Sequence, residues 1–140
     1  AEHVEFALPE LPLGIIPDSG GVQRVPKRLP HNIAVEMLLL GRRMSAQEAH
    51  RYGMVNKVVP KDKHLEAARE WADIIATGAP LTIQSLKECL REMDGISVRK
   101  SFDLIRSGAM KAYEKAVESE DAKEGVKAFA EKRKANFRGV

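Results

Sequence analysis

Glu10 and Asp18 are the residues of this chain best equipped for chemistry. Glu10 stands between Pro9 and Pro12 in a run that is otherwise almost wholly apolar, and Asp18 follows just ahead of Gly20 and Gly21. Apolar surroundings strip water from a carboxylate and make it an acid or base usable near neutral pH. Two such groups at one site could move protons between water and carbon, or between two carbons. The same pattern fits a plainer arrangement: a solvated loop glutamate, and an aspartate that caps the first amides of a helix opening at Gly20. Local pattern leaves both open.

The elements around these residues read as one short strand followed by helices. Val4, Phe6 and Leu8 alternate with His3, Glu5 and Ala7, so residues 3–8 are predicted as a strand leading into Glu10. A short helix follows from about 19 to 27, stopped before Pro30. Residues 32–40 are predicted as a second helix, closed by Gly41. Ser45 and Glu48 form a capping box that starts a third helix ending at Gly53, and residues 55–59 read as a short β segment before Pro60. Beyond Lys63 the helices lengthen. Leu65, Ala68, Ala72 and Ile75 make one stripe, and Ile83, Leu86, Leu90 and Met93 make another. Residues 98–113 continue the pattern as one long helix, and Asp121 to Glu124 resembles a second capping box before a helix reaching about Lys134.

Composition excludes several classes. A charged share of 31% beside 44% hydrophobic residues suits a water-exposed globular chain, and no apolar run approaches the ~20 residues of a membrane span. The single cysteine, Cys89, rules out an internal disulfide and fits a reducing compartment, here the cytoplasm. It lies on a helical stripe as filler. His3, His31, His50 and His64 are scattered without ligand spacing, so no metal is expected. The net charge of +3 is too small to argue for nucleic acid, although Lys132-Arg133-Lys134, Lys27-Arg28 and Arg42-Arg43 offer a basic-surface alternative. Trp71 interrupts a polar flank of its helix and is expected at an interface.

Three ordered blocks carry a family resemblance. The stretch P-E-x-x-x-G-I-I-P-D-S-G-G-x-Q-R at residues 9–24 is similar to the second half of the enoyl-CoA hydratase/isomerase (crotonase) signature. Gly41-Arg42-Arg43-Met44-Ser45-Ala46-Gln47-Glu48-Ala49, then Gly53-Met54-Val55-Asn56-Lys57-Val58-Val59, resembles its middle block. Ser119-Glu120-Asp121-Ala122-Lys123-Glu124-Gly125, then Ala128-Phe129-Ala130-Glu131-Lys132-Arg133, resembles its closing helix.

The resemblance implies an α/β crotonase (ClpP/crotonase-like) fold, of which this chain is the mostly helical C-terminal half. Residues 1–60 would be the C-terminal part of the core and 61–140 a helical trimerisation region. The N-terminal half, with the oxyanion-hole amides, most of the CoA loop and a partner glutamate, is expected on missing sequence or a separate chain. The implied activity is reversible hydration of an α,β-unsaturated acyl-CoA thioester, with Glu10 as proton donor to the α-carbon. Glu10 and Asp18 together would instead suit a double-bond isomerase of (di)enoyl-CoA. The Pro17-Asp18-Ser19-Gly20-Gly21 variant, with Ile105-Arg106-Ser107-Gly108 and Lys111-x-Tyr113, is most similar to the branch acting on crotonobetainyl-CoA and carnitinyl-CoA. Phe129 and Lys132 are implied as contacts to the adenine end of CoA, against a plainer core Phe and solvated Lys. CoA enters as part of the substrate, with no separate cofactor. A homo-oligomer, trimer or dimer of trimers, is implied as well. The half-chain alone is expected to be inactive, and a non-catalytic trimerisation fragment or an RNA-binding relative are the remaining alternatives.

Overall fold

The computed structural model describes residues 1–140 as two compact units, Ala1–Arg69 and Glu70–Val140. In the first unit, strand β1 (Glu5–Phe6) pairs antiparallel with β2 (Met44–Ser45), placing Glu5 opposite Ser45 and Phe6 opposite Met44. A 3₁₀ turn (Leu11–Leu13) leads to helices α1 (Gly21–Arg28) and α2 (His31–Leu40), and α3 (Ala46–Arg51) follows β2 directly. Their core joins Leu29, Ile33, Ala34 and Met37 to Met44 and Ala49, with Phe6, Val25 and Tyr52 packed around it. Burying such aliphatic and thioether side chains supplies the main stabilisation, on the order of 2 kcal/mol each.

Helix α4 (His64–Ala76) contains the division between the units. In the second unit, α5 (Pro80–Glu92) and α7 (Lys111–Val117) make the main helix contact, with α6 (Val98–Arg106) between them in sequence and α8 (Glu120–Ala130) closing the chain. Leu81, Met110, Ala116 and Ala128 are buried there.

Helix starts follow the local chemistry. Ser45 Oγ accepts from the Glu48 N–H at 3.2 Å, as the predicted capping box requires. The reciprocal half is absent, because Glu48 instead pairs with Arg42 (Nη2 to Oε1, 2.8 Å). That bond is the main reason the Glu48 carboxyl is held below its ordinary range.

Four expectations need correction. The strand is two residues long rather than six, and its partner β2 lies where only a helix start was predicted. Residues 55–59 form no strand: the Val55 N–H turns back to the Ala49 carbonyl (3.3 Å), and the Val59 carbonyl accepts from the Glu2 N–H (2.8 Å). The helix predicted over 98–113 breaks into α6 and α7. Gly108 adopts φ +71°, a left-handed conformation that ends a helix. Finally, α8 is capped by Ser119, whose Oγ accepts from Ala122 N–H at 3.0 Å, and it stops at Ala130.

Candidate active site

Glu10 sits at the mouth of the 3₁₀ turn, and the turn is built on its backbone. Its carbonyl accepts from the N–H groups of Leu13 (2.9 Å) and Ile15 (3.3 Å), and Gly14, at φ +69°, closes the turn onto the Leu11 carbonyl. The side chain is treated differently. Its Oε2 is buried and has no hydrogen-bond partner. Buried polar atoms are nearly always paired, so this unpaired carboxylate oxygen makes Glu10 the candidate residue of the turn.

Asp18 lies on the next loop, and that loop is packed near the segment leading into Glu10. Leu8 and Pro17 both press on the Cα of Gly21. A Cβ there would stand 3.0 Å from Leu8 Cδ2 and 2.8 Å from Pro17 Cβ, so only glycine permits this approach. Leu8 precedes Glu10 by two residues and Pro17 precedes Asp18 by one, so one glycine fixes both carboxylate-bearing segments. Gly41, at φ +59°, ends α2 in a left-handed turn beside Pro9, at ordinary contact distance.

The capping reading of Asp18 is corrected here. The N-cap of α1 is Gly20, at φ +101°, and no side chain caps the helix. Asp18 sits too early, with its N–H folded back on the Ile16 carbonyl (2.7 Å). The carboxylate is exposed and accepts only from the neighbouring Ser19 Oγ at 3.3 Å. Arg24, which sequence reasoning passed over, donates from Nη1 to the Ser19 carbonyl at 3.1 Å. Its guanidinium lies across Gly20, within 2.0 Å of where a Cβ would project.

Phe129 and Lys132 lie in the second unit. Phe129 is 87% exposed, so it is not a core residue. Lys132 falls beyond the end of α8 at φ +53°, so the two do not share a helix face as their i, i+3 spacing predicted. A basin of about 470 Å³ lies along the same helix, where Lys123, Lys127, Arg133 and Arg138 face Glu120 and Glu124. No group of three or more His, Cys, Asp and Glu comes together to hold a metal, and no helix is long and apolar enough to cross a membrane. Trp71 is half exposed on α4.

Two acidic residues that the motif contained, but whose task it did not reveal, hold the chain end. Asp121, only 2% exposed, accepts from the N–H groups of Arg138 (2.8 Å) and Gly139 (2.7 Å). Glu124 takes both Nη atoms of Arg133 (2.6 and 2.9 Å) and the Asn136 N–H (3.0 Å). The Arg133 fork, then the Asn136 amide, pull the Glu124 carboxyl from 4.5 down to about 2. A carboxyl lowered by folding stabilises the fold fully above its unfolded value and loses that contribution as pH falls through the folded value. The Asn136 amide is therefore expected to stay protected above pH 4.5 and to open as pH approaches 2. Amide exchange read across that window checks this, and Glu124→Gln should remove the pH dependence.

The family model described as enoyl-CoA hydratase/isomerase matches residues 1–140. The chain belongs to the enoyl-CoA hydratase/isomerase family. The carnitinyl-CoA dehydratase of Proteus mirabilis (strain HI4320) is 51% identical over 139 residues, covering 99% of this chain and 53% of the relative. The carnitinyl-CoA dehydratase of Salmonella typhi matches to the same extent, also 51% identical. Among solved structures, enoyl-CoA hydratase from Bacillus anthracis superposes with a TM-score of 0.88 at 35% identity, covering 99% of this chain and 52% of that one. Enoyl-CoA hydratase from Mycobacterium tuberculosis H37Rv gives 0.86 at 34% identity, with 99% and 54% covered. The fold is thus the crotonase fold, in its mostly helical part, as the three motif blocks implied. The chain spans about half the length of the curated relatives it matches.

Proposed function

We propose that the intact polypeptide carrying this chain adds water reversibly across the double bond of an α,β-unsaturated acyl-CoA. Crotonobetainyl-CoA is the substrate, giving carnitinyl-CoA. The observation that carries the reading is the buried Glu10 Oε2 with no partner. Glu10 delivers a proton to the α-carbon while hydroxyl from water bonds the β-carbon, so the double bond and one water become a β-hydroxy thioester. The base that activates the water and the amides that hold the enolate oxygen come from sequence outside these residues. Relatives named carnitinyl-CoA dehydratase at 51% identity support the acyl group.

The different surroundings of the two carboxylates favour hydration over double-bond migration. A proton shuttle needs both groups in proton exchange with the acyl chain, whereas Glu10 has a sequestered oxygen and Asp18 is exposed. The exposed Phe129 ring and Lys132 serve the adenine and phosphate end of CoA in a homo-oligomer, a trimer or dimer of trimers, in the cytoplasm. Residues 1–60 belong to the catalytic core and 61–140 to the helical assembly region. CoA is carried by the substrate, and no further cofactor takes part.

Incubating the intact polypeptide with crotonobetainyl-CoA in ¹⁸O-water tests the reaction. Label is expected at the β-hydroxyl of the product. A shifted double bond without label would move the assignment to isomerisation, and no turnover at all would leave an assembly fragment.

A further inference from the structure

We infer that Asp18 is the counter-charge for a quaternary ammonium group carried by the acyl chain, and so sets which acyl group the site accepts. This rests on the acyl-CoA reading above. A quaternary ammonium has no N–H and cannot be held by hydrogen bonds, so it is recognised by an aromatic face or by a fixed anion beside apolar surface. No aromatic residue occurs between positions 9 and 24, so within this stretch the anion is the group available.

Asp18 meets the requirements for that anion. Its carboxylate caps no helix, and its one side-chain bond comes from Ser19 Oγ at 3.3 Å. The lone basic residue of this stretch, Arg24, is turned to the Ser19 carbonyl and forms no ion pair with Asp18. Asp18 therefore has no ion-pair partner within this chain. Ile15 and Ile16, both exposed, precede it by three and two residues and give this loop apolar surface for N-methyl groups. Its backbone is fixed by the Ile16 turn, by Pro17 against Gly21, and by Gly20 under the Arg24 guanidinium. The loop shares the Gly21 contact with Leu8, two residues before Glu10, so the anion and the acid are held in one piece of structure. A group in proton exchange benefits from a dry, unpaired oxygen, as Glu10 has; a fixed charge does not need one.

Equilibrium binding of two saturated thioesters tests the inference on the intact polypeptide. 4-(Trimethylammonio)butyryl-CoA and butyryl-CoA share the chain and the CoA but differ in the cation, and neither can be hydrated. The unaltered protein should bind the cationic thioester about two- to fivefold more tightly, as expected for a partly screened charge pair, with the preference shrinking as salt rises. Asp18→Asn should erase the preference by weakening the cationic ligand alone, and Asp18→Glu should keep part of it. Asp18→Ser gives the same reading with a smaller side chain, and unchanged melting shows that the fold persists. Absence of a preference in the unaltered protein, its survival in Asp18→Asn, or equal weakening of both thioesters would each overturn the assignment. These affinities are read without turnover, so a failed hydration assay and a failed counter-charge give separate results.

Discussion

Replacing Glu10 by Gln is expected to lower the turnover number of the intact polypeptide by about two to four orders of magnitude, the usual worth of a positioned acid or base. The amide keeps the size and the trigonal shape of the carboxyl, and the turn depends on the Glu10 carbonyl, which the substitution leaves in place. Acyl-CoA affinity should then change little, so the loss falls on kcat rather than KM. The orphaned Oε2 sharpens the expectation: it has no protein partner to lose, so stability should hold or rise slightly. Near-normal turnover in Glu10→Gln would remove Glu10 from the mechanism. A parallel fall in melting temperature and affinity would make it a structural residue.

The site was legible from sequence where a single residue type dictates one conformation. Gly14, Gly20 and Gly41 all adopt left-handed backbone, and the Pro-Glu pair does begin a turn. What sequence could not give was the destination of each side chain. Asp18 has a typical capping residue type two positions before Gly20, yet its own N–H folds onto Ile16 and the cap position passes to glycine. The i, i+3 pairing of Phe129 and Lys132 presumed a helix that continues. It ends at Ala130, where Lys132 turns to φ +53° and the Arg133 N–H closes onto the Ala128 carbonyl (3.0 Å). The pairing of β1 with β2 is likewise a contact between positions about forty residues apart, which no local periodicity encodes. The stripe over 98–113 is helical only to Arg106 and again from Lys111, because Gly108 turns the backbone left-handed and leaves Ala109 outside both helices.

Asp121→Ala is expected to free the last residues of the chain and to cost roughly 2–4 kcal/mol, because two bonds to a buried charge are lost together. The carboxylate is 2% exposed, and each oxygen serves one amide of the closing segment, Arg138 at 2.8 Å and Gly139 at 2.7 Å. Alanine leaves both amides without an acceptor, and they regain one only by leaving the helix for water. The Asp121 N–H also donates to the Val140 carbonyl at 3.2 Å, a backbone bond that alanine could keep, so the segment should open in part rather than detach at once. Ser119→Ala is the control. It removes the Ser119 cap from Ala122 N–H, at about 1 kcal/mol, without touching the closing segment. Hydrogen exchange should therefore speed at the Arg138 and Gly139 amides in Asp121→Ala and stay slow in Ser119→Ala, with melting lowered more in the first. Unchanged protection of those two amides in Asp121→Ala would mean that the closing segment is held by packing, with Phe137 against Gly125 and Gly139 against Pro80 as the contacts that remain.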